Sequence, residues 1–517
     1  MNLVGFYQKN KAKIYLVLNI VILFAMALFM LLTANRQSLW VDELRWTMGY
    51  MQGSFFDMIK ELSTSLYNLP LFYIVGFVFY KVFPVGEIWL MLPSIIFVVL
   101  GVWFLYLAIK NIYGFELGTL TAFVSSISLV LISFAGLQFR PYGLMFMFVC
   151  LVLYFYQKRI NNTSTKNIIL LGVSCLLLAY THWFGILFVG ILGVYDFVFC
   201  CLKKQSFKVL LSYVIAVVVF LPWFLYVVLN SQNSLTEYWA TKPTITYPIS
   251  VISTFTNTNI IVLVMFFLGS AIYIAKHIIK LIMKENFLNK RITLFFSIII
   301  PIVFALIVFY SGVINPNGSL CVDRYFIIIF PFVAFFVAYF IYSLCKIIKG
   351  GIKKEAFSNI IVAIILVALI PYMFYSSYTT ALKHKYMVPS EMYREVATYL
   401  KDSGDMARED VVLLQHDMSD SWLKYYVANK GDYSIQNYYT CCFEENINVI
   451  YENGERVDKE TNSVKLIESL KEFSVVYLFY DHPAGTNMND NYLYNDLIEG
   501  YDLELIYHNL YKFTKKA

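Results

Sequence analysis

The sequence predicts a polytopic α-helical membrane protein of about eleven spans, with a small α/β domain at its C-terminal end. Three observations predict it. Of 517 residues only 14% are charged and 59% are hydrophobic, where a soluble globular chain carries roughly 25% charged residues. Apolar runs of about 20 residues, the length that crosses a bilayer, recur as far as residue 377. Beyond about residue 384 the chain becomes rich in charge.

The first run, KIYLVLNIVILFAMALFMLLT (13–33), is too long for a signal-peptide core and no small-residue cleavage site follows it. It reads as a retained span. Further runs lie near 88–109, 116–137, 141–157, 168–182, 184–202, 209–229, 258–276, 292–311, 324–345 and 357–377. Residues 69–83 (LPLFYIVGFVFYKVF) are shorter, about 15, which suits an interfacial or re-entrant segment. Charge supports that reading. If 69–83 does not cross, Lys and Arg fall on alternate loops: Lys9 to Lys13, Lys110, Lys158 to Lys166, Lys203 to Lys208, Lys276 to Arg291 and Lys346 to Lys354. The positive-inside rule then places the N-terminus in the cytoplasm of a cell-membrane protein. The loop 34–87, Arg140, His182, the loop 230–257, the Asp323–Arg324 pair and everything after about residue 378 fall on the outer side. The net charge of +6 arises largely from the short loops and points to orientation, not to a nucleic-acid partner.

This gives a transmembrane module over 1–380 and an extracytoplasmic domain over 384–517. In the latter, EMYREVATYLKDSG reads as an amphipathic helix ended by glycine. VVLLQ and SVVYLFY read as buried strands, and VKLIESLKEF as a helix between them. No repeat, P-loop or dinucleotide fingerprint occurs, which argues against an ATP-driven pump. The eight cysteines lack metal-ligand spacing, and the adjacent Cys441 and Cys442 imply no disulfide framework.

Charged groups at or within a membrane are expensive, so each is a functional candidate. Asp42 and Glu43 stand between Trp40 and Trp46 in WVDELRW. On a helix they point about 100° apart, so one aims into a given cavity and takes a proton from an attacking hydroxyl while the other orients that hydroxyl or holds a cation. Two readings fit: a general base with a partner acid, or an interfacial turn in which Asp42 caps a helix and Glu43 favours its first turn. Arg140, opening RPYGLMF, suits a phosphate or simply snorkels to the interface, and Arg324 carries the same two readings with Asp323 beside it as a possible pairing partner. His182 in AYTHWFG is either structural or a ligand for a phosphate or metal. Glu87 and Glu237 read as solvated loop acids, and His416–Asp417 and Asp481–His482 as strand-end polar pairs.

The order of these motifs resembles the GT-C superfamily of polyprenyl-phosphate-sugar-dependent glycosyltransferases. Within it, the chain is similar to the protein O-mannosyltransferase and aminoarabinose-transferase group, over roughly residues 10–380. The matching elements are WVDE at 40–43, Asn68-Leu69-Pro70 where the group has His-Pro-Pro, and Met91-Leu92-Pro93-Ser94 where it has Arg-Leu-Pro-Ser. They continue with Arg140-Pro141-Tyr142, Thr181 to Gly185, and Arg324-Tyr325. A juxtamembrane helix between the first two spans and an outer domain after the last are also features of the group.

The resemblance implies an enzyme that takes a sugar from a polyprenyl-phosphate donor at the outer face. It passes the sugar to a hydroxyl on a lipid, glycan or protein, with inversion. Carried over, Asp42 is the catalytic base with Glu43 as its partner. Arg140, Tyr142, His182, Arg324, Tyr325 and Asn68 fall at the substrate and phosphate. Asn68 stands where relatives have a metal-holding His or Glu, and an amide oxygen is a poorer ligand, so metal dependence is expected to be weak or absent. Met91 removes one cation of the group pattern. The rival classes are a lipid or glycan transporter, which needs mid-span charge where the chain offers mainly Asp196, and a scaffold that presents the C-terminal domain.

Overall fold

The computed structural model describes residues 3–516 apart from 67, 204–205, 232–241, 283–290, 312–318, 353–354, 384–391, 417–420, 431–434, 442–445, 453–454, 463–467, 480–491 and 508. Glu237, Asp417, Cys442, Asp481, His482 and the first part of the helix expected at 464–473 lie outside the described residues. By contact the chain divides into two units. One comprises 1–33, 59–78 and 90–384, and the other 34–58, 79–89 and 385–517.

Nine described helices are long and apolar enough to cross a membrane, and they coincide with nine of the predicted runs. The other two runs are also helical. Residues 115–136 form the helices Phe115–Ser126 and Val130–Gly136, which meet at 63°. Thr165–Ala179 is an apolar helix of 15 residues. The run expected not to cross is the helix Pro70–Val82, whose 13 residues reach only about 20 Å of the roughly 30 Å hydrocarbon core.

Burial explains the patterning of the bundle. Within the span Asp323–Gly351, 78% of its apolar 18-residue stretch is buried, as a central helix requires. Phe332 and Phe335 meet the Phe296 ring edge-on at 4.8 and 5.0 Å, and Tyr339 meets Tyr273 at 5.1 Å. By contrast the spans Lys9–Thr33 and Phe357–Thr379 are only 17% buried and leave most of their apolar surface outward, as lipid-facing helices do.

The 63° break has a specific cause. Between the two helices, the Ile127 carbonyl and the Leu129 amide take a partner from outside the helical ladder, and an unpaired backbone group in an apolar interior costs several kcal/mol. Asn257 satisfies both: its Oδ1 accepts from the Leu129 amide at 2.8 Å and its Nδ2 donates to the Ile127 carbonyl at 3.2 Å. The same Nδ2 donates to Ser377 Oγ at 2.6 Å, tying in a third segment. Asn257 itself has φ 60, a left-handed conformation that asparagine tolerates better than most residues.

One end of the Tyr142–Asn161 helix carries a buried ion pair. Arg159 Nη2 lies 2.6 Å from Asp196 Oδ2, and both side chains are almost wholly buried. Tyr156 donates to Asp196 Oδ1 at 2.8 Å and Tyr213 to Oδ2 at 2.7 Å, while Arg159 Nη1 reaches the Val209 carbonyl at 3.1 Å. Asp196, the clearest mid-span acid, is thus enclosed in a brace between three helices.

The second unit holds a seven-stranded mixed sheet: β1 (Val411–His416), β2 (Tyr438–Cys441), β3 (Asn446–Glu452), β4 (Glu455–Asn462), β5 (Val475–Phe479), β6 (Tyr501–Tyr507) and β7 (Leu510–Lys515), in the order β4-β3-β2-β1-β5-β7-β6. The two strands read from sequence, β1 and β5, form its parallel centre. One face is packed by Val412, Leu414, Val476, Leu478, Leu497 and Phe513. The expected amphipathic helix is Tyr393–Ser403; it buries Tyr393, Val396, Ala397 and Leu400, one stripe at helical spacing, and ends at Gly404 with φ 69. The segments 34–58 and 79–89 cluster with this sheet domain. Gln52 donates to Ser421 Oγ at 2.9 Å and accepts from Lys424 at 3.1 Å, and Lys430 donates to the carbonyls of Tyr80 and Phe83.

Two stability predictions follow from the helical unit. A Cβ at Gly269 would collide with the Phe336 carbonyl on the neighbouring helix, whereas Gly190 has nothing within 4 Å. Gly269→Ala is therefore expected to lower the thermal midpoint in detergent, through a destabilisation of about 1–3 kcal/mol. Gly190→Ala is expected to leave it unchanged or raise it through better helix propensity. For the ion pair, Asp196→Ala strands a buried guanidinium and is expected to cost about 3–5 kcal/mol. Pairing it with Arg159→Met should recover part of that loss, read as the monodisperse fraction after detergent extraction.

Candidate functional site

Six of the eight predicted site residues gather in the helical unit. The path to Arg140 starts at the break that Asn257 closes: Val130–Gly136 carries the chain to Gln138, whose carbonyl accepts from Ser94 at 2.8 Å. Gly143 then lets the next helix begin in close contact, since a Cβ there would lie 2.5 Å from the Ala135 carbonyl. Phe139 packs on Phe72 with ring centres 5.4 Å apart.

Tyr142 is the centre of the cluster. It is fully buried, and the guanidinium carbons of Arg140 and Arg324 each lie 6.0 Å from its ring centre. Arg324 Nε donates to its hydroxyl at 3.0 Å. His182 and Tyr325 close the circle, with ring separations of 5.9 Å for Tyr142–His182, 5.1 Å for His182–Tyr325 and 6.2 Å for Tyr142–Tyr325. Residues 140–142, 182 and 324–325 lie far apart in the chain and meet on one phenol ring.

Asn68 lies on a stretch that is tied to the one carrying His182. The Leu71 amide donates to the Tyr180 carbonyl at 3.1 Å and Trp183 Nε1 to the Leu66 carbonyl at 2.6 Å, so the stretch that holds Asn68 is laced to the stretch that holds His182. The Asn68 amide oxygen accepts from the Tyr73 hydroxyl at 2.5 Å. That oxygen is the atom a metal would need. Among the described residues no group of three His, Cys, Asp or Glu side chains is placed to hold a metal ion.

Two cationic side chains and a histidine therefore meet on one tyrosine. Two guanidiniums around one ring repel each other, and an anion between them removes that cost. Asp323 does not pair with Arg324: its oxygens accept from Tyr247 at 3.2 Å and Thr254 at 3.1 Å. His182 lies in the connection between two helices, and its Nδ1 accepts from the Phe184 amide at 3.2 Å, which leaves the proton on Nε2. Burial first, then Arg140 and Arg324, hold its pKa well below the ordinary histidine range. The ring is therefore a neutral N–H donor, not an acid or base.

The remaining two site residues, Asp42 and Glu43, stand in the other unit. Trp40 is extended and begins a one-turn helix, Val41–Glu43. Glu43, almost wholly buried, accepts from the Trp40 amide at 3.0 Å. The capping role expected of Asp42 thus falls to Glu43, and Asp42 stays half-buried. A π-helical turn, Leu44–Met48, follows at once, a rare form that recurs beside functional sites.

Two groups escaped the sequence reading. Glu87, taken for a solvated acid, is 3% exposed and accepts from Tyr426 at 2.8 Å and Arg394 at 2.9 Å. Its partners lie more than three hundred residues away, and nothing local marks it. Arg159, the partner of Asp196, was legible only as a basic helix end.

The structure aligns with ArnT from Cupriavidus metallidurans in the apo state at a TM-score of 0.58 and 14% identity, covering 96% of this chain and 97% of that one. The same protein bound to undecaprenyl phosphate aligns at 0.57 and 13%, covering 96% and 98%. The chain has the GT-C fold. Residues 70–226 also match the family described as dolichyl-phosphate-mannose-protein mannosyltransferase, which bears out the resemblance read from the motifs. An Archaeoglobus fulgidus oligosaccharyltransferase tethered with an acceptor peptide aligns at 0.47 and 11%, covering 82% of this chain and 64% of that one. A search of curated proteins finds no match.

The state of His182 gives a prediction. Because its pKa is depressed, the ring stays neutral from pH 8 down through its unfolded value of about 6.5. A lipid phosphodiester, which carries a constant charge over that range, should bind the wild type and His182→Gln with parallel pH profiles between pH 5 and 8. A step near pH 6.5 in the wild type alone, seen by titration calorimetry, would show a charged imidazole.

Proposed function

We propose that the chain is a membrane glycosyltransferase that moves a sugar from a polyprenyl-phosphate donor to a hydroxyl acceptor at the outer face, with inversion. The observation that carries this reading is the convergence of Arg140 and Arg324 on Tyr142, beside the neutral donor His182. Such a site suits a phosphate that must be held while its charge grows. The GT-C fold supports it, and so does the fact that an aligned structure of that fold is bound to undecaprenyl phosphate.

In such a transfer the anomeric carbon is cation-like at the transition state and the departing phosphate gains negative charge. Guanidiniums near that phosphate stabilise the transition state more than the bound donor, which is what raises the rate. Tyr142 and Tyr325 keep the two arginines and the His182 ring in place. Asp42 is the proposed base that takes the acceptor's proton as its oxygen attacks. Glu43, engaged with the Trp40 amide, orients it. Asn68, an amide, is a poorer metal ligand than a carboxylate or an imidazole, and no step here is routed through a metal. The transport reading has less support, because Asp196 is closed off by Arg159, Tyr156 and Tyr213.

The test uses full-length protein purified in detergent with a panel of radiolabelled polyprenyl-phosphate sugars, following release of sugar from the lipid. Asp42→Asn is expected to fold normally and lose about 10²- to 10⁴-fold in turnover. Arg324→Gln is expected to weaken both carrier binding and turnover. Wild-type turnover by Asp42→Asn would remove the base role. Unchanged binding and turnover in Arg324→Gln would remove the phosphate site.

A further inference from the structure

The sheet domain takes no part in the chemistry above, yet it grips the segment on which Asp42 and Glu43 stand. Tyr426 lies on a π-helical turn, Leu423–Val427. Its hydroxyl donates to Glu87 Oε1 at 2.8 Å and accepts from the Leu39 amide at 2.9 Å, one residue before the cap of the Val41–Glu43 helix. The neighbouring Tyr425 hydroxyl accepts from the Gly86 amide at 2.9 Å, so the same turn also holds the backbone next to Glu87.

A second line of contacts runs just upstream. The Tyr393 amide donates to Ser38 Oγ at 3.1 Å, and Arg394 donates to the Asn35 carbonyl at 3.1 Å while pairing with Glu87 at 2.9 Å. Asn35 Oδ1 in turn accepts from the Ile88 amide at 3.1 Å. Residues 35 to 39 are therefore fixed at four points, three of them from residues 393, 394 and 426. Ser38 and Leu39 are almost wholly buried where they are held. The Tyr426 phenol keeps its proton, since burial and then the Glu87 charge push its pKa well above the ordinary tyrosine value. It can donate to Glu87 only in that form.

Resting on the base role assigned to Asp42, we propose that the C-terminal domain is part of the catalytic unit, with Tyr426 as a positioning residue. Its hydroxyl fixes the start of the Val41–Glu43 helix and with it the direction in which Asp42 points. A helix of one turn has almost no stiffness of its own, because the first turn fixes several dihedrals for one hydrogen bond. Its orientation is inherited from the residues that precede it, and Leu39 is the last of these before Trp40. Catalytic geometry is sensitive enough for this to matter, since a displacement of about 1 Å reduces rates about a hundredfold.

The experiment compares Tyr426→Phe with Tyr477→Phe in the full-length protein. Tyr477 also donates a buried hydrogen bond in this domain, at 2.6 Å to Asp405, and serves as the control for loss of a tyrosine hydroxyl. Amide hydrogen exchange of residues 39–43, which needs no substrate, is expected to quicken at least about tenfold in Tyr426→Phe, with β1 and β5 unchanged. Turnover should fall at least about tenfold while KM for the lipid donor stays the same, as loss of an alignment requires. Tyr477→Phe should show neither effect. Unchanged exchange at 39–43, faster exchange with wild-type turnover, or a change in KM alone would each overturn the proposal. Wild-type turnover by Asp42→Asn would instead overturn the base assignment, and the exchange data would still decide whether Tyr426 holds the segment.

Discussion

The site in the helical unit depends on Asn257 and on how it closes a gap in the backbone. An apolar bundle offers no water to a carbonyl or amide that leaves the helical ladder. Asn257 supplies one acceptor and one donor to residues 129 and 127, and the bend between Phe115–Ser126 and Val130–Gly136 becomes affordable. From that bend the chain is aimed at Gln138, Arg140 and Tyr142. A straight helix through the same residues would carry Arg140 on along the bundle and away from Arg324. The strained backbone at Asn257 is thus a local disadvantage that the surrounding hydrogen bonds over-determine, as is common beside functional residues.

The charges of the helical unit show two different solutions to one problem. At the Arg159 end of the Tyr142–Asn161 helix, a carboxylate and two phenols surround a guanidinium and the charge is closed in a brace. At the Tyr142 end, seventeen residues or about 25 Å away along the helix, two guanidiniums lie around one tyrosine ring beside a neutral imidazole. The first arrangement is balanced within itself and suits a structural role. The second gathers like charge around one ring, and its proposed role is to hold a ligand of opposite charge.

Much of this was legible in the sequence, for physical reasons. Membrane spans are long apolar runs and cannot hide, so each predicted run is a helix, and the short one at 70–82 was marked by its length. The cluster residues were legible because arginine and histidine are costly near a bilayer and stand out there. Gly404 marked the end of its helix through its left-handed conformation. What stayed hidden were pairings across sequence. Nothing near Asn257 announces a partner at residue 127, and nothing near Glu87 announces Tyr426. Strand β4, with its polar run ERVDKETN, carries no hydrophobic alternation strong enough to declare it.

The grip of Tyr426 on Leu39 spans 387 positions, which has a meaning for how the chain is made. At about 5–20 residues per second, a ribosome needs roughly 20–80 s to travel from one to the other. The acidic segment emerges well before the hydroxyl that fixes it. A chain that stalls or is cut short before residue 426 lacks the hydroxyl that holds Leu39. Connectivity of this kind couples competence to completeness, so that a partial product of translation carries the acidic motif without the means to hold it.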